Sequence, residues 1–312
     1  MKISRKFGLC SGLCIALLVL LAYFYFGPVN VPTADPVPNP NGYDDFVAAQ
    51  NLVVASMTLP ALPGERDFEM EAARRHFASN TPAIERLRLG LAKQSAVPIV
   101  YTNDWISTHV NEMAGMKRLA RNLALGGALE KIDGRMANAL EYDVDILRLA
   151  TAINHGGLLI DNLVAAANEN IAFAELEKLE PGLDASQCRM ALGELERWRT
   201  NREPFAITLE REKRWGNLYG RLQHTRVEYM LLRIVSIIPI KSLNPLAAAY
   251  DRAQSKQNQV FRRAAKLQVV LAAHVYKADH KAAPIRWGDL VPSYLPAVPL
   301  DPDTDRELAF PF

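Results

Sequence analysis

Residues 7–26 form an uncharged, leucine-rich run of twenty that ends in Tyr23-Phe24-Tyr25-Phe26. At about 1.5 Å per residue a helix of that length reaches roughly 30 Å, the thickness of a bilayer's hydrocarbon core. Lys2, Arg5 and Lys6 precede the run, and no charge follows it before Asp35. That bias keeps the N-terminal stub in the cytoplasm and sends the rest of the chain outward. A cleaved signal peptide is the other reading. The run is longer than an ordinary signal's apolar core and no small-x-small site follows it, so the expectation is an uncleaved anchor. Cys10 and Cys14 come after Leu9 and Leu13, not after the small residue that lipid attachment needs, and read as packing cysteines.

Residues 27–42 change character, with prolines at 28, 32, 36, 38 and 40. Such a run favours polyproline II at about 3 Å per residue and reads as a semi-rigid spacer of roughly 40 Å. Four parts follow: stub and anchor over 1–26, spacer over 27–42, a helical domain over 43–243, and a long helix with its tail over 244–312. Beyond Lys6 the chain sums to a net charge of −1, which gives no electrostatic footprint for nucleic acid. The exported part holds one cysteine, Cys188, so its stability comes from packing and not from an internal disulfide.

Apolar residues recur at helical spacing through most of the body, which predicts a mainly α fold. Phe46, Ala49, Val53 and Met57 mark a first helix, Phe68 to Asn80 a second, and Thr81-Pro82 reads as the cap of a third. Residues 98–105 look extended. Helices are then expected over 105–125, 135–154 and 158–180, punctuated by Gly126-Gly127 and Gly156-Gly157. Asp184 with Gln187 forms a capping box for the next helix, up to Pro204, and another spans 205–240. From Pro245 the seam is the most regular in the chain: Leu246, Tyr250, Ala253, Gln257, Val260, Ala264, Leu267, Leu271, His274 and Ala278 step four and three without a break. A helix with such a seam packs along its length against other helices. The expected architecture is a multi-helix bundle with one long C-terminal helix and a Pro-rich irregular tail.

The end of that helix and the tail, Tyr276-Lys-Ala-Asp279, then Leu290-Val-Pro-Ser-Tyr294-Leu-Pro296 and Val298-Pro-Leu-Asp301-Pro302, resemble the C-terminal part of the major pseudopilins of type II secretion. The same tail is similar to that of uncharacterised bacterial envelope proteins with one N-terminal anchor and a helical body. The resemblance implies a tail that folds back over the long helix, and an envelope location. Lys281 stands where that pattern has glycine, and the anchor lacks the prepilin cleavage sequence, so assembly into a fibre is not implied.

Candidate chemistry is sparse. Trp105, His109 and Glu112 share one helix face at steps of four and three, which would suit a general acid/base pair or an ordinary amphipathic face. Glu141, Asp143 and Asp145 read as a solvated acidic face. Asp301, Asp303 and Asp305 space three carboxylates as the first half of a calcium loop does, although Arg306 occupies the position that needs glycine. A solvated turn is the alternative; no other cofactor is expected. The function expected is a membrane-tethered helical scaffold or interaction module of the bacterial envelope. It would be anchored in the inner membrane by residues 7–26, with its body in the periplasm and a protein partner there. The other class is an envelope hydrolase or other enzyme with a cleft between helical blocks near His109 and Glu112. A deep pocket holding both residues would favour the enzyme, a filled bundle with an exposed groove the scaffold.

Overall fold

The computed structural model describes residues 33–54, 61–66, 68–102, 104–223 and 245–310. The expected anchor at 7–26 and the second half of the helix expected over 205–240 lie outside them. Among the described residues no helix is long and apolar enough to cross a membrane. Helices dominate: α1 (Gly42–Leu52), α2 (Met70–Leu91), α3 (Trp105–Ile132), α4 (Met136–Asn154), α5 (Leu159–Leu179), α6 (Ala185–Asn201), α7 (Phe205–Gln223), α8 (Pro245–His280) and the short α9 (Trp287–Leu290). The mainly α class expected from periodicity is what the chain adopts.

Helix α5 is the hub. It lies against α3, α4, α7 and α8 and buries one broad face that runs its whole length. Around it one continuous core joins Phe46, Leu87, Met116, Leu123, Leu140, Leu149 and Phe173 to Val260, Leu267 and Leu271 of α8. Ala253, Gln257, Val260, Ala264, Leu267 and Leu271 of the long seam are all buried, while His274 sits half-buried with its Nδ1 2.9 Å from Glu180. The tail folds back over α8. Leu290 and Leu295 close over Val269 and Ala272 of α8, and the Tyr294 hydroxyl donates to Asp279 at 3.0 Å. Arg189 of α6 grips both oxygens of the same Asp279 at 2.7 and 2.8 Å. Lys281, at the turn out of α8, adopts φ +58°, a conformation that costs a side-chain-bearing residue about 1–2 kcal/mol.

The capping box at Asp184 and Gln187 forms as expected, with reciprocal bonds of 2.8 and 2.9 Å. Three other local expectations are corrected. The second and third short helices are one, because Pro82 lies inside α2. An interior proline costs about 3 kcal/mol, but Ala73, Asn80, Ile84 and Leu87 keep one buried stripe on both sides of it. Asn80 adds to this by accepting from the Val54 amide at 2.9 Å, which ties the end of α1 to α2. Gly126-Gly127 does not break α3 either. A Cβ at Gly126 would sit 2.5 Å from the Phe77 ring, and one at Gly127 3.0 Å from Asp143, so these glycines admit neighbouring helices and the chain turns later, at Gly134 with φ +78°. The acidic face of α4 is largely interior: Asp143 and Asp145 are buried, and Asp145 is held by Arg88 at 2.8 Å.

Part of the expected spacer belongs to the body. The Asp35 carboxylate lies 3.1 Å from Arg214 and 3.5 Å from Arg211. The Asn41 side chain pairs with both the amide and the carbonyl of Ala96, at 3.1 and 2.9 Å. Residues 35–41 therefore lie along the helices.

Candidate functional site

The face read from sequence as Trp105, His109 and Glu112 points inward, and the structure completes it with two residues that spacing did not reveal. His109 is 1 % exposed. Its Nε2 lies 2.7 Å from Asp161 Oδ1 of α5, and its Nδ1 3.1 Å from Glu112 Oε2. The Tyr43 hydroxyl of α1 donates to the same Glu112 oxygen at 2.9 Å. Trp105 covers the imidazole face to face, with ring centroids 4.3 Å apart and 14° between planes. One chain of polar contacts thus runs from α1 through α3 to α5.

Each member is placed by local structure. Asp161 occupies the third position of α5, where its Oδ2 accepts the Leu158 amide at 2.6 Å and so satisfies one of the helix's free N–H groups. The next amide, Leu159, donates to Glu212 of α7 at 2.9 Å. Gly157 is required here, since a Cβ at that position would lie 2.5 Å from the Asp161 Cβ. His109 and Glu112, three apart on α3, present their side chains on one face.

The electrostatics follow from this geometry. Burial works against a charge on His109, but the hydrogen bonds it donates to two carboxylates outweigh it and raise the imidazolium to about 9. Burial would raise Glu112, yet the bonds from His109 and Tyr43 hold it below the ordinary carboxylate range. Burial, with Asp161 and Glu112 nearby, pushes the Tyr43 phenol upward. At neutral pH the cluster is a protonated histidine clamped between carboxylates, with its π face against an indole, an arrangement that also favours the cation. A general base needs a free nitrogen on its imidazole, and here both are engaged.

The other candidate is different in kind. The carboxylates of Asp301 and Asp303 both face Arg262 of α8, and Asp303 also accepts from Asn258 at 2.5 Å. Asp301 Oδ1 accepts the Asp303 amide at 2.8 Å, and its carbonyl accepts the amides of Thr304 and Asp305. The Asp303 amide and then Arg262 hold Asp301 below its usual range. Asp301 and Asp303 pair with an arginine, and Asp301 also caps the turn. Among the described residues no cluster of three or more histidine, cysteine or acidic side chains is arranged to hold a metal ion.

Two further polar contacts stiffen the hub. Glu169 of α5 is fully buried between Arg202, at 2.7 and 3.2 Å, and the Trp198 indole N–H at 2.8 Å. Arg211 joins Glu203 at 2.9 Å and the Gly157 carbonyl at 2.7 Å. Comparison with known proteins finds no matching family model, no matching curated protein and no matching solved structure.

Proposed function

We propose that this chain is a membrane-tethered helical interaction module of the bacterial cell envelope, held in the inner membrane by residues 7–26 with its body in the periplasm. The observation that carries the choice of class is the closure of the His109 cluster. Its most reactive side chain is 1 % exposed and has both ring nitrogens on carboxylates, which suits a fastener between helices better than a reacting group. The charge distribution around residues 7–26 supports the tether, and the pseudopilin-like tail supports the compartment. A hydrolase would need His109 opened to a substrate, at the expense of the contacts that join α1, α3 and α5.

The test is topological. A reporter active only in the cytoplasm, fused after Phe312, should stay silent, and the protein should remain with membranes after alkaline washing. A bright fusion would overturn the compartment, and release by the wash would overturn the anchor.

A further inference from the structure

Two carboxylates on α4, two residues apart, have unlike surroundings. Asp145 is held by Arg88 at 2.8 Å, with Arg148 3.5 Å away. Asp143 is 3 % exposed, and its Oδ1 is buried with no hydrogen-bond partner among the described residues. It lies on the side of α4 that packs against α3. A Cβ at Gly127 of α3 would sit 3.0 Å from Asp143 Oδ1 and 3.3 Å from the Ala139 carbonyl, one turn earlier on α4. From α5 the nearest charge is another carboxylate, Glu175, which is itself almost wholly buried.

The cations that act on Asp143 are Lys131 of α3 and Lys178 of α5, and both are engaged elsewhere. Lys178 Nζ donates to Glu175 at 2.7 Å, and Lys131 Nζ donates to the Lys178 carbonyl. The other helices against α4 also commit their charges away from Asp143. Arg88 of α2 goes to Asp145, Glu194 of α6 to Arg148 and Arg197, and Asp45 of α1 to Arg86 and Lys93. On α4 itself Glu141 lies 3.8 Å from Arg88.

We propose that Asp143 is a proton-binding latch on the α3–α4–α5 junction: neutral, it lets the three helices close, and ionised, it drives them apart. The inference is independent of the anchor and of the compartment. A carboxylate buried with neither donor nor counter-ion is costly enough that it takes up a proton instead. Burial first, and Glu175 second, hold the Asp143 carboxyl well above its usual range, and the two lysines oppose this without reversing it. Once ionised, the group needs water or a lysine, and either requires α4 to move away from Gly127 or from Glu175. A carboxyl raised in the folded state contributes stability that is fully present below its unfolded pKa of about 4 and is lost as pH rises through the folded value. The loosening therefore comes on the alkaline side. It is local, because Gly127 stands 18 residues from His109, about 27 Å along α3.

The experiment follows amide hydrogen exchange of the full-length chain in detergent from pH 5 to pH 9, corrected for the chemical exchange rate, over residues 123–131, 139–147 and 171–179. Opening of these segments should grow about tenfold per pH unit until the Asp143 carboxyl ionises, the slope of one proton released on opening. Asp143→Asn, which keeps the shape and cannot ionise, should remove that rise. The difference between the two proteins at each pH cancels what His109 contributes to both. Glu175→Gln should lower the pH at which the rise levels off, an effect that packing alone would not produce. The same exchange profile in Asp143→Asn and in the parent chain would overturn the latch. If Asp143→Asn fails to fold, carbon-13 titration of the Asp143 carboxyl in the parent chain decides. A midpoint well above 4, moved downward by Glu175→Gln, supports the latch. A midpoint at or below about 4 would show a carboxylate already ionised and paired with lysine, and would overturn it.

Discussion

Two candidate sites read from this sequence, at His109 and at Asp301, end in opposite environments. Around His109 the carboxylates of Asp161 and Glu112 are drawn into the bundle, each bonded to groups from other helices. In the tail the carboxylates of Asp301 and Asp303 stay near the surface, pinned by the half-buried Arg262. The lesson concerns what surrounds a charge. A buried ion pair that loses one member leaves the other stranded without water, whereas an exposed pair is replaced by hydration at little cost.

His109→Leu breaks the comparison at its strongest point. It leaves Asp161 buried opposite an apolar group and should cost about 3–5 kcal/mol in chemical unfolding. A loss below about 1 kcal/mol would mean that the cluster is hydrated and the contrast with the tail is false. Leu267→Ala tests the apolar frame around the cluster, and should cost about 2–5 kcal/mol because Leu267 is buried in the main core. An unchanged melting temperature would place the α8 seam against solvent or a partner instead.

The pH dependence sharpens the same contrast. The folded imidazolium is raised to about 9 from an ordinary 6.5, so its contribution is fully present below pH 6.5 and is lost as pH rises through 9. The loss should be roughly 3 kcal/mol. The test is denaturant unfolding at pH 6 and pH 10, with His109→Gln as the reference that removes this step; equal slopes in both proteins would assign the loss to other groups. The smallest effect belongs to the tail. Asp301→Ala should change stability by no more than about 1 kcal/mol, and melts in calcium and in chelator should coincide. A rise in melting temperature with calcium would show that the carboxylates leave Arg262 for a cation.

Much of the fold was readable because helix periodicity is a local property. The α5 and α6 boundaries, the Asp184 capping box and the α8 seam all follow from residues within a few turns of one another. The expectations that failed share a cause. Proline inside α2, the glycine pair inside α3 and the acidic residues of α4 were read by local preference, and each is decided by a distant neighbour: the α3 and α4 partners of the α2 stripe, Phe77, and Arg88. The site was half legible for the same reason. His109 and Glu112 are three residues apart, but Asp161 lies 52 positions from His109 and Tyr43 lies 69 from Glu112. An acidic residue at the third position of α5 was a visible capping signal; nothing local said that it would also hold a histidine.

Nuclear magnetic resonance titration of the His109 ring, assigned through its sequence neighbours in the full chain, tests the closed cluster most directly. The account predicts a ring protonated on both nitrogens at pH 7, with a midpoint near pH 9. A neutral ring at pH 7, titrating at or below 6.5, would mean that one nitrogen is free and that the cluster is poised for chemistry instead of fastening three helices.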